Sequence, residues 1–261
     1  MPVIFSGAAI ALVAVFGATS WSCAADFSAD QVRETLSKAS ADKPADFANR
    51  DLSDLDLSNV DFKRANLAGA NLFGARLVSC NLAGAKLARA NLNGAWLMGA
   101  NFTGADLSGS SMLSLVIAGG PVKDKPNFSG ANMSGVRLIA DLPTADLHGA
   151  NLSNGKLGVD MKNQGMGQMR TDLSSANLAG ANLRDADLGR SLMLFANLKG
   201  ADLRGASFYR VRLSGADLTG ADIAGADFAE ADIDGTVFKD VKGMDSAKGL
   251  DQAKNRDRAV Y

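Results

Sequence analysis

The amino-acid sequence predicts an all-β solenoid, a chain wound into stacked coils around a narrow apolar interior. Three regularities indicate it. A large apolar residue, the centre of each repeat, recurs at every fifth position; a small residue stands two positions before it; and Asp or Asn usually lies between them. The first series of centres has no gap: Phe47, Leu52, Leu57, Phe62, Leu67, Leu72, Leu77, Leu82, Leu87, Leu92, Leu97, Phe102, Leu107, Met112 and Ile117.

A five-residue period excludes one long helix or one long strand as the way to bury the centres. At about 100° per residue, five residues advance a helical position by about 140°, so the centres would spiral around the surface. In a strand the centres would change sides at each repeat, because five is odd. A chain that turns a corner every five residues brings the small residue and the centre inward and leaves Asp or Asn outside. Glycine two positions after the centre suits such a corner, because it tolerates positive φ.

Repeats such as Ala65–Gly69 and Ala70–Gly74 follow the pattern A-[DN]-L-x-x and resemble the pentapeptide repeat proteins. The resemblance extends over about residues 45–238, where a second series of centres runs from Leu173 to Phe238. It implies a right-handed quadrilateral β-helix with four repeats per coil. It also implies functions known in that family, since some members protect DNA gyrase or mimic DNA, and some dimerise through a C-terminal coil and helix.

The N-terminal segment, residues 1–25, predicts a signal peptide because an uncharged apolar stretch is followed by small residues. A retained membrane anchor and a lipoprotein modified at Cys23 are the alternatives. All three interpretations export the rest of the chain, and we expect a periplasmic protein with no membrane span after leader removal.

Two further segments flank the β-helix of residues 45–238. Residues 26–44 predict a short capping helix, from about residue 29 to 39, in which Ser28 and Gln31 form a capping box. Residues 239–261 have spaced apolar residues and alternating charges, and we expect a helical tail that closes the C-terminal end. A homodimer through this tail stays open, because the tail is polar and interrupted by glycine.

Composition disfavours an enzyme. The chain has one histidine, His148, two cysteines, Cys23 and Cys80, and a net charge of −1. One histidine cannot form a multi-histidine metal site, and removal of Cys23 with a leader would leave no intramolecular disulfide. Balanced charge disfavours a nucleic-acid partner. We therefore expect no catalytic residues, no cofactor and no bound nucleic acid.

The repeat breaks at three places. The interval from Ile117 to Phe128 is one residue longer than two repeats, Leu138 to Leu142 is one residue short, and Leu157 to Leu173 is sixteen residues. We interpret residues 118–127 and 158–171 as irregular loops. Such loops on a regular scaffold often bind partners, although tolerated insertions would look the same.

The second loop holds Met161, Met166 and Met169, with His148 not far away in sequence. In an exported protein, clustered thioethers can bind Cu(I), so copper handling is one hypothesis. The alternative is that these methionines fill the interior of degenerate repeats.

Stacking outward positions every twenty residues predicts two apolar clusters on the surface, either exposed for a partner or covered by neighbouring chain. The candidate partner-binding residues are the three loop methionines together with Val78, Trp96, Met98, Val116, Leu194 and Phe195. Leu192 and Tyr209 lie near the last two.

These features favour an exported, non-enzymatic scaffold that binds a protein partner through its loops and an outer apolar face. The alternatives are a topoisomerase-interacting DNA mimic of the same family and periplasmic copper handling. A leader and a net charge near zero disfavour the DNA mimic, because gyrase is cytoplasmic.

Overall fold

The structure, a computed structural model, describes residues 25–117, 124–159 and 170–261 and has the predicted β-helix. Parallel bridges join each outward residue to the residue one coil further on, for example Asp46 to Asn66 and Asn66 to Lys86. A separation of twenty residues per coil makes four sides of five residues. Within these three ranges the chain forms one α-helix, α1 (Ala29–Ser37), and two short strands, β1 (Ser111–Leu113) and β2 (Arg137–Ile139), which pair in parallel. The right-handed sense of the coil stays a prediction.

Each repeat follows from a fixed pattern of backbone hydrogen bonds. The N–H of Asn71 donates to the C=O of Arg50 in the coil before, at 2.9 Å, and the N–H of Leu72 donates to the C=O of Asn91 in the coil after, at 2.7 Å. Gly74 then turns the corner with φ of 65°. Because L-residues with a side chain disfavour that conformation, glycine recurs at this position.

The centres fill the interior, as the sequence predicts. All of them from Phe47 to Leu107 are fully buried, and the residues two positions before them are buried except Arg50 and Leu55. Where aromatic centres fall in adjacent coils their rings stack: the ring centroids are 5.1 Å apart for Phe102 and Phe128 and 4.9 Å apart for Phe208 and Phe228. In the described coils the interior is therefore a column of stacked apolar side chains.

The outward Asp and Asn residues stabilise the corners and join successive coils. The Oδ1 of Asn71 accepts from the backbone N–H of Phe73, and its Nδ2 donates to the Oδ1 of Asp51 at 3.0 Å. The Nδ2 of Asn91 donates in turn to the Oδ1 of Asn71 at 2.9 Å. Asp and Asn suit this position because their short side chains reach the backbone two residues ahead.

The N-terminal helix is present, and it begins with the predicted capping box. The Oγ of Ser28 accepts from the N–H of Gln31, and the N–H of Ser28 donates to the Oε1 of Gln31. Val32 is fully buried, and the ring of Phe27 meets that of Phe47 edge to face with centroids 5.5 Å apart. The helix therefore packs on the first coil.

The prediction of a helical tail at residues 239–261 is wrong. This segment forms one more coil, in which the outward residues Lys242, Lys248 and Lys254 bridge to the coil before at intervals of six residues. A residue in the left-handed region follows each lysine, namely Gly243, Gly249 and Asn255, with φ of 76°, 67° and 56°. Such a residue every sixth position interrupts any α-helix, and two short 3-10 turns, Met244–Ser246 and Arg256–Arg258, take its place.

The regular coil resumes soon after each break. Asn127, assigned to the first loop, already bridges to Asn101, and Asp172 bridges to Asp141 directly after the second loop. Within the three described ranges no helix is both long enough and apolar enough to cross a membrane.

Replacing Leu87 by Asp should unfold the middle coils, because it places a charge in the apolar interior. The loss in the free energy of unfolding should exceed the roughly 2–5 kcal/mol typical of a buried leucine cut to alanine. The matched control is Lys86→Asp, which installs the usual outward residue at an exposed neighbour. Denaturant unfolding measures both, and similar curves for the two variants would contradict the assigned interior.

Replacing Gly249 by Ala should destabilise the last coil more than Gly235→Ala does. Both glycines have positive φ, 67° and 62°, so a backbone cost of about 1–2 kcal/mol is common to both. A Cβ at Gly249 would lie 2.5 Å from the backbone nitrogen of Ala229, whereas a Cβ at Gly235 would meet nothing within 4 Å. Limited proteolysis of the C-terminal end and denaturant unfolding give the comparison, and equal losses would refute the predicted clash.

Candidate functional site

The β-helix has four faces, which we number from the first coil by their outward residues: face 1 begins at Asp46, face 2 at Asp51, face 3 at Asp56 and face 4 at Asp61. Face 3 differs from the others in composition. Bridges join its outward residues Asp56, Arg76, Trp96 and Val116, and then Asp141, Asp172, Leu192, Arg212, Asp232 and Lys254. The pairing of β1 with β2 just before Val116 and Asp141 puts these two residues in successive coils.

The other three faces are polar. Every outward residue of faces 1 and 2 is Asp, Asn, Ser, Lys or Arg, and face 4 is polar until Val237 and Val260 near its C-terminal end. In the stacked coils up to residue 236, which we call the shaft, face 3 therefore carries the outward apolar residues. It brings Trp96 and Val116 into the same column as Leu192.

The two corners that border face 3 are apolar as well. At the corner between faces 2 and 3 stand Phe73, Leu113, Ile139 and Tyr209, and at the corner between faces 3 and 4 stand Val78, Met98, Leu194 and Phe195. The other two corners carry no apolar residue larger than alanine between residues 45 and 117, 124 and 159, and 170 and 240. The sequence analysis missed three of these residues, Phe73, Leu113 and Ile139, and Phe73 is half exposed.

All three breaks in the repeat also border face 3. The first break follows Ile117, the centre next to the outward residue Val116. The chain returns at Asp124 beside the corner between faces 3 and 4, where the C=O of Asp124 accepts from the N–H of Gly99 at 2.8 Å. The second leaves the coil after Val159 and returns at Arg170, just ahead of face 3. The third, the short step from Leu138 to Leu142, removes one residue from the corner between faces 2 and 3.

The short step leaves a groove of about 410 Å³ in the middle of face 3. Leu115, Ile139, Ala140 and Leu192 form its apolar lining, and Arg170 lines it beside Asp141 and Asp172. Because a corner one residue short cannot project as far as its neighbours, the surface is recessed there. The groove thus separates the two predicted apolar clusters on one face.

Trp96 is half-buried because a neighbouring arginine covers its ring. The Cζ of Arg76 lies 4.6 Å from the centroid of the indole, and the Nε of Arg76 lies 3.7 Å from the Oδ2 of Asp56. Hydrogen bonds from the hydroxyl and backbone N–H of Ser58 hold the pKa of Asp56 below its usual value, and Arg76 adds to this effect. Asp56 is therefore charged at neutral pH, and the carboxylate, guanidinium and indole form a row along face 3.

Of the two alternatives for the first cluster, exposed or covered by neighbouring chain, Met98 follows the second. Its exposed fraction is 2%, whereas Val78 and Val116 are half-buried. The chain that returns at Asp124 lies beside this corner, where the C=O of Asp124 accepts a hydrogen bond from the N–H of Gly99.

The second cluster is more exposed than the first. Phe195 has an exposed fraction of 68%, and its ring lies over Gly215 in the next coil, where an added Cβ would collide with it. Leu192, Leu194 and Tyr209 are half-buried. Among the described residues, Phe195 is thus the most exposed apolar side chain of face 3 and its corners.

The structure does not test the copper hypothesis. Met161, Met166 and Met169 lie outside the described residues, and no group of three or more His, Cys, Asp or Glu in the described ranges could hold a metal ion. His148 lies at the corner between faces 4 and 1, diagonally across the coil from Val159, where the methionine-containing loop begins.

Comparison with known proteins identifies the repeat. A family model described as pentapeptide repeats matches eight copies at residues 45–77, 75–112, 171–209 and 203–240, just over half of the chain. A search of the curated proteins finds no match.

Solved structures with similar chains belong to pentapeptide repeat proteins. HetL of the cyanobacterium Nostoc sp. strain PCC 7120, involved in heterocyst differentiation regulation, is 27% identical with a TM-score of 0.41, over 90% of this chain and all of HetL. A trypsin-treated form of QnrB1, a plasmid-mediated fluoroquinolone resistance protein, is 17% identical with a TM-score of 0.40, over 70% of this chain and 87% of QnrB1. Rfr23 of the cyanobacterium Cyanothece 51142 is 22% identical with a TM-score of 0.27, over 46% of this chain and 90% of Rfr23.

Replacing Trp96 by Ser should cost less stability than a change in the interior, because the indole is only half-buried and its ring contacts Arg76. Met98→Ser is the matched comparison, because Met98 lies only two residues further along the chain but is buried. This variant should lower the free energy of unfolding by about 2 kcal/mol or more. Denaturant unfolding of both variants decides the point. A loss for Trp96→Ser as large as that for Met98→Ser would show that Trp96 is part of the core.

Proposed function

The chain belongs to the pentapeptide repeat family, and we propose that it is a non-enzymatic protein-binding module whose partner contacts face 3. One observation supports this proposal above all. Up to residue 236 of the described shaft, every outward side chain of Val, Leu, Ile, Met, Phe, Tyr or Trp lies on face 3 or at its two corners, and so does every break in the repeat.

The physical argument rests on the cost of exposed apolar surface. A regular repeat can place a polar or charged residue at every outward position, as faces 1 and 2 do, so apolar residues on face 3 are not required by the fold. Contiguous exposed apolar surface on a soluble protein commonly marks an interface, and aromatic residues such as Trp96 and Phe195 are frequent at interface centres. The groove beside Leu192 adds a recess for a partner's side chain.

The DNA-mimic alternative finds less support in the charges. The C-terminal coils are rich in Asp and Glu, but Lys and Arg neutralise many of them. Arg204 lies between Asp202 and Asp222, with its Nε 3.8 Å from the Oδ2 of Asp222. The Nε of Arg210 is 2.6 Å from the Oε2 of Glu230. A surface with its carboxylates paired in this way lacks the unbroken negative field of a DNA duplex.

Export to the periplasm is a second part of the proposal, and the segment of residues 1–25 supports it, although its first 24 residues lie outside the described ranges. Cell fractionation of a C-terminally tagged chain, followed by N-terminal sequencing, is the test. We expect an extracytoplasmic protein that begins near residue 26. A cytoplasmic protein with an intact N-terminus would refute export and reopen the gyrase alternative.

Capture of the partner tests face 3. Phe195→Ser should reduce recovery of a bound protein by about tenfold or more, because it removes an exposed aromatic contact. The matched control is Lys199→Ser, an exposed change in the same coil at the corner between faces 4 and 1, which should leave recovery unchanged.

Both variants should melt like the wild-type protein, so a change in recovery reports binding and not folding. Equal recovery with Phe195→Ser and Lys199→Ser, or loss with Lys199→Ser alone, would contradict the assignment of the partner to face 3.

A further inference from the structure

When the outward residues of face 3 are set against the same residues in reverse order, opposite charges meet at the ends and aliphatic residues meet near the middle. From the N-terminal end the ten positions are acidic, basic, aromatic, aliphatic, acidic, acidic, aliphatic, basic, acidic and basic. The first and last positions have opposite charge, and so do the second and ninth. The fourth to seventh positions are aliphatic, acidic, acidic and aliphatic, so they are symmetric about a point between Asp141 and Asp172. Face 1 in reverse order also brings opposite charges together, Asp46 with Lys242 and Lys86 with Asp202, but all its outward residues are polar. Face 3 alone combines opposite charges at its ends with apolar residues at matching inner positions.

Two-fold symmetry turns this order into contacts. If two copies meet through face 3 about an axis that lies in the interface and crosses the rods, each position meets its counterpart in reverse order, and contacts occur in symmetric pairs. Asp56 then meets Lys254 of the other copy, and Arg76 meets Asp232. Both pairs have opposite charge, and Asp56, Arg76 and Lys254 are exposed in the single chain.

The inner positions also match. Trp96 meets Arg212 of the other copy, which places a second guanidinium at an indole whose first contact is Arg76. Val116 meets Leu192, an apolar contact. Asp141 meets Asp172 at the symmetry axis and is the one pair of like charge, and Arg170 in the same groove offsets it.

A parallel arrangement has no such match. About an axis along the rods, each position of face 3 would meet its own copy, so that Asp56 would face Asp56, Arg76 would face Arg76 and Lys254 would face Lys254. Like charges opposite each other at an interface cost several kcal/mol, so the charges select the antiparallel arrangement.

The size of face 3 is sufficient for such an interface. Ten positions at about 4.8 Å extend over roughly 43 Å, and five residues at about 3.3 Å limit the width of a side to about 16 Å. A fully paired face would bury up to about 700 Å² per chain, or about 1,400 Å² in total, within the range of stable protein interfaces.

We propose that face 3 binds a second copy of this chain in antiparallel orientation. The proposal rests on the proposed function of face 3 as a protein-binding surface, and it names the partner. The interface differs from one through the C-terminal end of the rod, because its contacts run along the shaft from Asp56 to Lys254.

Cross-linking tests the arrangement. In the double variant Asp56→Cys with Lys254→Cys, a short bismaleimide should link two chains, whereas either single variant should give no link. The matched control is Asp46→Cys with Lys242→Cys, which lie in the same two coils on face 1 and should not link. Cys80 does not compete, because it is 1% exposed and burial raises the pKa of its thiol to about 12. Cys23 is replaced by Ser if the leader is retained.

Charge exchange tests the pairing in solution. By sedimentation equilibrium at low salt, Lys254→Asp should weaken the dimer by about tenfold, because two symmetric attractive pairs become repulsive. Adding Asp56→Lys to that variant should restore the dimer, since each pair is again of opposite charge. Thermal melting of each variant shows whether the exchange affects folding instead.

Three results would overturn the inference: a monomer at all concentrations, equal cross-linking in the face 1 control, or a dimer that the double exchange does not restore. None of them decides the proposed function. Capture of a different protein, lost with Phe195→Ser and kept with Lys199→Ser, would uphold face 3 as a binding surface for another partner.

Discussion

A parallel ladder of backbone hydrogen bonds, with one rung on every side of every coil, is the constraint on which the rest of this structure depends. Each outward residue donates to the coil before it and each centre donates to the coil after it, as Asn71 and Leu72 do. This requirement sets the five-residue period, because a side and a corner must repeat in register. It also leaves three of the five side chains outside, where the ladder places no demand beyond a corner that accepts positive φ.

At the C-terminal end of the interior the backbone hydrogen-bond ladder continues with a period of six residues instead of five. In the last coil each side has six residues, and Gly243 and Gly249 stand where Ile223 and Phe228 stand one coil earlier. The added residue lets the chain turn across the open end, and Met244, Leu250 and Ala253 pack against the core. Lys242, Lys248 and Lys254 lie next to Asp222, Asp227 and Asp232 of the coil before, so opposite charges adjoin on three faces.

Face 3 combines two departures from the repeat that physical reasoning would treat separately. Apolar outward residues cost solubility, and insertions or deletions at corners interrupt the pattern, yet both occur on the same quarter of the surface. A scaffold whose other faces are almost entirely polar can accommodate both there, because the backbone ladder resumes one coil later, as it does at Asn127 and Asp172. Concentrating variation on one side of a rigid rod is how many repeat proteins form binding surfaces.

The sequence by itself determined the β-helix, its interior residues and its N-terminal capping box, because a five-residue period and a short cap depend only on neighbours in the chain. It also pointed to Trp96 and Phe195 as outward residues. Only the tertiary structure decided that these two lie on one face, because the breaks change the offset between stacked residues from 20 to 26 and 31, as between Asn101 and Asn127 or Asp146 and Asn177. Burial of Met98 and the six-residue last coil likewise depend on contacts between coils, which no local pattern specifies.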